Sequence, residues 1–116
     1  MTQHSTLTPE RWAQFTVSRQ ILMIANEMQR IATALADGFD DRRRNGYERV
    51  LRLVDLTVAC NRSHGLRKEL LRWRDLIGAL YVAAGPDPAA HSDAFRCLLY
   101  FTPESAKQIP FVTLTR

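Results

Sequence analysis

The chain has 116 residues and a mass of 13.3 kDa, enough for one domain over residues 1–116 and too few for two of ordinary size. Its 46% apolar and 24% charged residues exclude an intrinsically disordered chain, and five Gly with five Pro, scattered along it, exclude a collagen-like or low-complexity one. The net charge of +4 is concentrated: residues 39–75 carry ten Lys/Arg against six Asp/Glu, whereas residues 1–38 and 76–116 each balance at three against three.

Helical punctuation sets out the elements. Thr8-Pro9-Glu10 reads as an N-cap, a proline at the first helical position and an acid at the positive end of the helix dipole. It predicts a short turn that carries Trp12 and Phe15 onto the core. Thr16 then caps a long helix beginning at Val17 and ended by Gly38, within which Ile21, Ile24, Ala25, Met28, Ile31, Ala32 and Leu35 form an unbroken 3.6-residue stripe. A second helix starts at Asp40 or Asp41 and ends near Cys60 or Asn61, with Tyr47, Val50, Leu51, Val54 and Val58 as its main stripe. Gly46 costs its interior up to about 1 kcal/mol relative to Ala, so residues 42–46 are expected to fray or to precede the helix proper.

A third helix runs from Leu66 to about Ala84, with Leu66, Leu70, Trp73, Ile77, Leu80 and Ala84 on one face and Gly85-Pro86 as its stop. Asp87-Pro88 repeats the cap-and-proline signature for a fourth, starting there or delayed to Ser92, whose apolar body is Phe95, Cys97, Leu98, Leu99, Tyr100 and Phe101. Thr102-Pro103-Glu104 gives a last short turn to about Gln108. The tail, with Phe111 and Leu114, reads as extended, and Pro110 makes it a poor central strand. Long helices joined by short turns pack as antiparallel neighbours. The expected fold class is therefore all-α, an up-and-down four-helix bundle with short extra helical turns at its N- and C-terminal ends.

Location follows from absences. Residues 1–12 contain no apolar signal-peptide core, and the uncharged run at 76–86 spans eleven residues where a membrane helix needs about twenty. The expected compartment is the cytoplasm, where Cys60 and Cys97, each among apolar residues, are reduced thiols acting as small hydrophobes.

Familiar enzyme chemistry finds no support in the sequence. The glycines form no phosphate loop, no Glu-x-x-His pair offers the ligands of a di-iron bundle, and no Ser or Thr sits in a recognisable His–carboxylate motif. His4, His64 and His91 are isolated and expected to be solvated, and apolar settings raise a cysteine pKa rather than lower it. No catalytic residue, metal ligand or cofactor is expected. Glu27 and Arg30 are i,i+3 neighbours; at 100° per residue Glu27 falls at the edge of the long helix's apolar stripe and Arg30 opposite it, which reads as a boundary ion pair.

Two surplus apolar stripes remain. Leu53, Leu56 and Cys60 lie away from the main face of the second helix, and Leu71, Gly78 and Val82 away from that of the third. A helix apolar on two sides is buried on two sides. The leading expectation is a homodimeric, non-enzymatic interaction or assembly module that buries these six residues between copies. The competing account folds Trp12, Phe15, Phe111 and Leu114 over them within one chain. The alternative function is a nucleic-acid-binding accessory protein using the basic segment 39–75, with Arg42, Arg43, Arg44 and Arg49 as contacts and Arg67 and Lys68 nearby. Against it stand interleaved acids that suit helical ion pairs: Glu48 with Arg52, Arg52 with Asp55, Glu69 with Arg72 and Arg72 with Asp75.

Residues 24–30 (Ile-Ala-Asn-Glu-Met-Gln-Arg), 47–56 (Tyr-Glu-Arg-Val-Leu-Arg-Leu-Val-Asp-Leu) and 67–74 (Arg-Lys-Glu-Leu-Leu-Arg-Trp-Arg) resemble segments of a group of small prokaryotic helical-bundle proteins with no assigned activity. The resemblance covers 20–82 and implies a four-helix fold. The bundle also looks like the HEPN class of ribonucleases, which carry an Arg four to six residues before a His. No Arg stands at that spacing before His64 or His91, so that catalytic motif does not carry over.

Overall fold

The side chain of Thr8 accepts from the Arg11 backbone N–H at 3.2 Å, and α1 (Pro9–Trp12) begins there. Thr16 does the same for α2 (Val17–Asp37), accepting from Arg19. α2 ends in a Schellman turn: Gly38 takes φ 77°, and the N–H groups of Gly38 and Phe39 bond the carbonyls of Leu35 and Ala34. That turn needs only Gly38 and Phe39 before α3 (Asp40–Cys60) starts. Ser63 caps α4 (His64–Val82), Asp87 caps α5 (Pro88–Leu99), and Thr102 with Ser105 closes a reciprocal capping box on α6 (Pro103–Ala106). A 3₁₀ turn, Ile109–Phe111, follows.

These elements belong to a computed structural model that describes residues 7–112, of which 79% are helical with no strand among them. α2 packs on α3 and α5, and α4 packs on the same two, which closes an up-and-down four-helix bundle. One core runs through it, from Ile21, Met28 and Ile31 of α2 to Tyr47, Val50 and Val54 of α3, Leu70, Trp73 and Ile77 of α4, and Phe95 and Leu98 of α5. Burying each such side chain is worth about 1.5–3 kcal/mol, so the stripes rather than helix propensity hold the bundle. No helix of the described residues is long and apolar enough to cross a membrane.

Three local expectations are corrected. α3 is regular from Asp40, because Gly46 is buried against α2 and a Cβ there would overlap Cγ1 of Ile31. Here glycine permits close approach of two helices, and the packing gained outweighs the propensity lost. α4 starts two residues earlier than the apolar stripe suggested, since Ser63 provides a cap, and it stops at Val82. Phe111 does not cover a stripe, being 80% exposed, and Leu114 lies outside the described residues.

The second stripe of α3 is covered from within the chain. Trp12 is fully buried and its indole N–H donates to Thr57 Oγ1 at 2.9 Å, while Thr57 donates to the Leu53 carbonyl. Gln20 bonds the carbonyls of Trp12 and Phe15 and accepts from Asn61 Nδ2. Cys60 donates its thiol to the Pro9 carbonyl at 3.1 Å, and burial holds that thiol's pKa up, with Glu10 adding to the effect. As an interface residue Leu53 is corrected: it is 0% exposed and belongs to the core, with Leu56 and Cys60 half-buried against it. On α4, by contrast, Leu71 and Val82 are 48% and 77% exposed, with the half-buried Gly78 between them.

Candidate functional site: an arginine-lined groove between α2 and α3

Arg42, Arg43 and Arg44 are consecutive, and one helical turn sends them to three different environments. Arg43 lies four residues before Tyr47 and shares its inward phase. It is 1% exposed, donating Nε to Asp40 Oδ1 at 2.8 Å and Nη1 to the Leu80 carbonyl at 3.2 Å, with Nη2 left without a partner. An unused buried donor of this kind costs about 1–3 kcal/mol. As an exposed phosphate contact Arg43 is therefore corrected: it ties α3 to α4. Arg44 is exposed, with Nε 3.6 Å from Asp40 Oδ2, and the Arg43 guanidinium beside Asp40 holds that carboxyl below its usual range. Arg42 is exposed and stacks its guanidinium over the Phe39 ring, 4.4 Å from the centroid.

Arg42 also faces a groove of about 310 Å³, lined with Arg30, Ile31, Thr33, Ala34 and Arg49. Two of its arginines are tied to Glu27, which does not itself line the groove. Phase placed Glu27 at a boundary, yet it is 2% exposed, because α3 closes over that edge of α2. Arg49 reaches across from α3 with Nε 2.8 Å from Glu27 Oε1, and Arg30 Nη1 lies 3.3 Å from Oε2. A buried carboxylate with charge-assisted bonds to two guanidinium groups fixes their direction. Three arginines thus line one concavity with a threonine beside them. Arg67 and Lys68, at the start of α4, are exposed but do not line it.

His91 was expected to be solvated and is buried at 1% exposure. Its Nε2 lies 2.9 Å from the Met28 carbonyl, which can only accept, so Nε2 carries the proton and the bare Nδ1 accepts from Tyr47 O–H at 2.9 Å. Burial lowers the imidazole pKa and raises that of the phenol, so both stay neutral and link α2, α3 and α5. The missed signal was periodicity: His91, Phe95 and Leu98 follow i, i+4, i+7. Both cysteines are free; Cys97 is exposed rather than inward, since α5 turns Phe95, Leu98 and Leu99 to the core instead. Of the expected surface ion pairs, Glu69–Arg72 forms at 3.4 Å, whereas Asp55 pairs across helices with Arg74 at 2.7 Å. Among the described residues no three His, Cys, Asp or Glu side chains are grouped to hold a metal ion.

Comparison with protein-family models, with curated proteins and with solved structures gives no match, so the functional reading rests on the geometry of this chain.

Proposed function

We propose that the protein is a non-enzymatic binding module for a phosphate-rich polyanion, a nucleic-acid backbone, engaged through Arg30, Arg42 and Arg49. The observation that carries this reading is that those three arginines line one groove between α2 and α3, two of them held by the buried Glu27. Guanidinium forks match phosphate oxygens, and their orientation in advance reduces the entropy lost on binding. Fluorescence anisotropy with labelled single- and double-stranded oligonucleotides tests it. Affinity should fall with salt at about 0.9 log units per log unit for each duplex phosphate engaged. Arg42→Glu, an exposed change away from Glu27, should weaken binding by roughly tenfold and lower the salt slope by about one contact. Binding absent at low salt, or indifferent to Arg42, rejects the proposal.

A second reading keeps the assembly role, moved to α4. Leu71 and Val82 are exposed on one face of that helix, and a homodimer seated there would cover them. Sedimentation equilibrium decides: a single species near the 13.3 kDa monomer mass at micromolar concentration removes it.

A further inference from the structure

Beside the groove, a separate pocket of about 200 Å³ opens where the end of α2, the start of α3 and the loop after α4 meet. Ala34, Leu35, Phe39 and Pro86 form its apolar walls, and Asp40 with Arg43 forms its polar side. Two independent observations give this pocket a preference for an anion. The first is the partnerless Nη2 of the buried Arg43. In a guanidinium, Nη2 shares an edge with Nε, and here Nε faces Asp40, so the unused donor belongs to the pocket's polar side. The second is the N-terminus of α3, a helix of 21 residues whose cap residue, Phe39, offers no side-chain acceptor to the first-turn amides. Those amides and the helix dipole favour negative charge at that end.

We infer that this pocket binds a small carboxylate with an apolar body, one carboxylate oxygen accepting from Arg43 Nη2. Asp40 is no obstacle to a monoanion. Its two oxygens face Arg43 and Arg44, and that pair of cations retains one positive charge beyond it. The orphan donor has almost no exposed surface, so ligand entry requires a side-chain movement at the pocket's polar side. Size fits as well: a dry cavity of about 150 Å³ holds benzene, so an aryl or branched-chain carboxylate of benzoate size is the class expected. This site is distinct from the arginine groove and does not depend on polyanion binding there.

Titration of the full chain with sodium benzoate at constant ionic strength, followed by amide chemical shifts, tests the assignment, with benzyl alcohol and inorganic phosphate as comparison probes. Saturable shifts at Gly38, Phe39, Asp40 and Arg43 with an affinity of about millimolar are expected, and at least about tenfold weaker binding of benzyl alcohol. Arg43→Lys, which cannot donate along the same edge, should lose benzoate by about tenfold or more. Because Arg43 also bonds Leu80, a second variant guards against misfolding. Leu35→Trp, at a half-buried wall position, should fill the pocket and abolish benzoate shifts while the thermal unfolding midpoint stays near that of the parent protein. The inference is overturned by no saturable shift, by equal binding of benzyl alcohol or phosphate, by shifts confined to Arg30, Thr33 and Arg49, or by benzoate binding that survives in folded Leu35→Trp.

Discussion

Leu53 and Cys60 on α3 lie beneath α1, closed in by Trp12 and by a chain of hydrogen bonds through Thr57, Gln20 and Asn61. Leu71 and Val82 on α4 face outward with nothing in the described chain over them. Both helices carry a surplus stripe at helical spacing, so the presence of a stripe does not separate the two. Polar anchoring does. Thr57 and Gln20 give the covering turn fixed partners, and a four-residue helix such as α1 would otherwise be too short to persist. An apolar stripe with polar groups placed to receive a neighbour is interior surface, while one without them stays available for something else.

Removing the anchor should break this contrast most strongly. Trp12→Ala deletes a fully buried indole and leaves Thr57 without its donor, and it should cost about 3–5 kcal/mol in urea unfolding. Dye binding to newly exposed apolar surface should rise with it, bringing α3 closer to the condition of α4.

Acid should act next, and on the α3 side. The folded pKa of His91 lies below the ordinary value of 6.5, so the unfolded chain takes up the proton first as pH falls. The contribution of neutral His91 is fully present above about pH 6.5 and declines below it, until the folded-state imidazole titrates as well. Thermal unfolding midpoints measured from pH 8 to pH 5 should fall over the lower part of that range, and His91→Gln should flatten the decline. A profile identical in the variant would remove His91 from the account.

Gly46→Ala offers a test with two opposing terms. Helix propensity alone favours the alanine by up to about 1 kcal/mol, whereas overlap with Ile31 costs about 1–3 kcal/mol, so a net loss of about 1–2 kcal/mol is expected. Smallest of all, Leu71→Ser and Val82→Ser on the open face should change monomer stability by no more than about 0.5 kcal/mol. A larger loss in a concentration-dependent unfolding series would mean that a second copy covers that face.

Caps and stripes were legible because they are local. Thr8, Thr16, Gly38, Asp87 and Thr102 mark helix boundaries by chemistry acting within four residues. What escaped was the handling of polar residues by tertiary packing. Arg43 looked like its neighbours Arg42 and Arg44 because all three share a charge, although its phase with Tyr47, Val50 and Val54 puts it on the inward face. Glu27 gave no sign of Arg49, 22 positions further along, since only the packing of α2 on α3 brings them together. Thus the groove was visible in part through Arg42 and Arg49, while its buried support and its third arginine, Arg30, depended on the fold.

The two-residue connection between α2 and α3 has a kinetic consequence. Closing so short a loop costs little chain entropy, and the contacts across the turn are local in sequence. The α2–α3 hairpin is thus the part of the bundle best placed to form before the rate-limiting barrier, whereas α1 must wait for α3 to present Thr57. Stopped-flow measurements should find that Gly46→Ala mainly slows folding and that Trp12→Ala mainly speeds unfolding. The close helix approach at Gly46 would then govern how fast the protein reaches its fold, and the anchored turn at Trp12 how long it remains there.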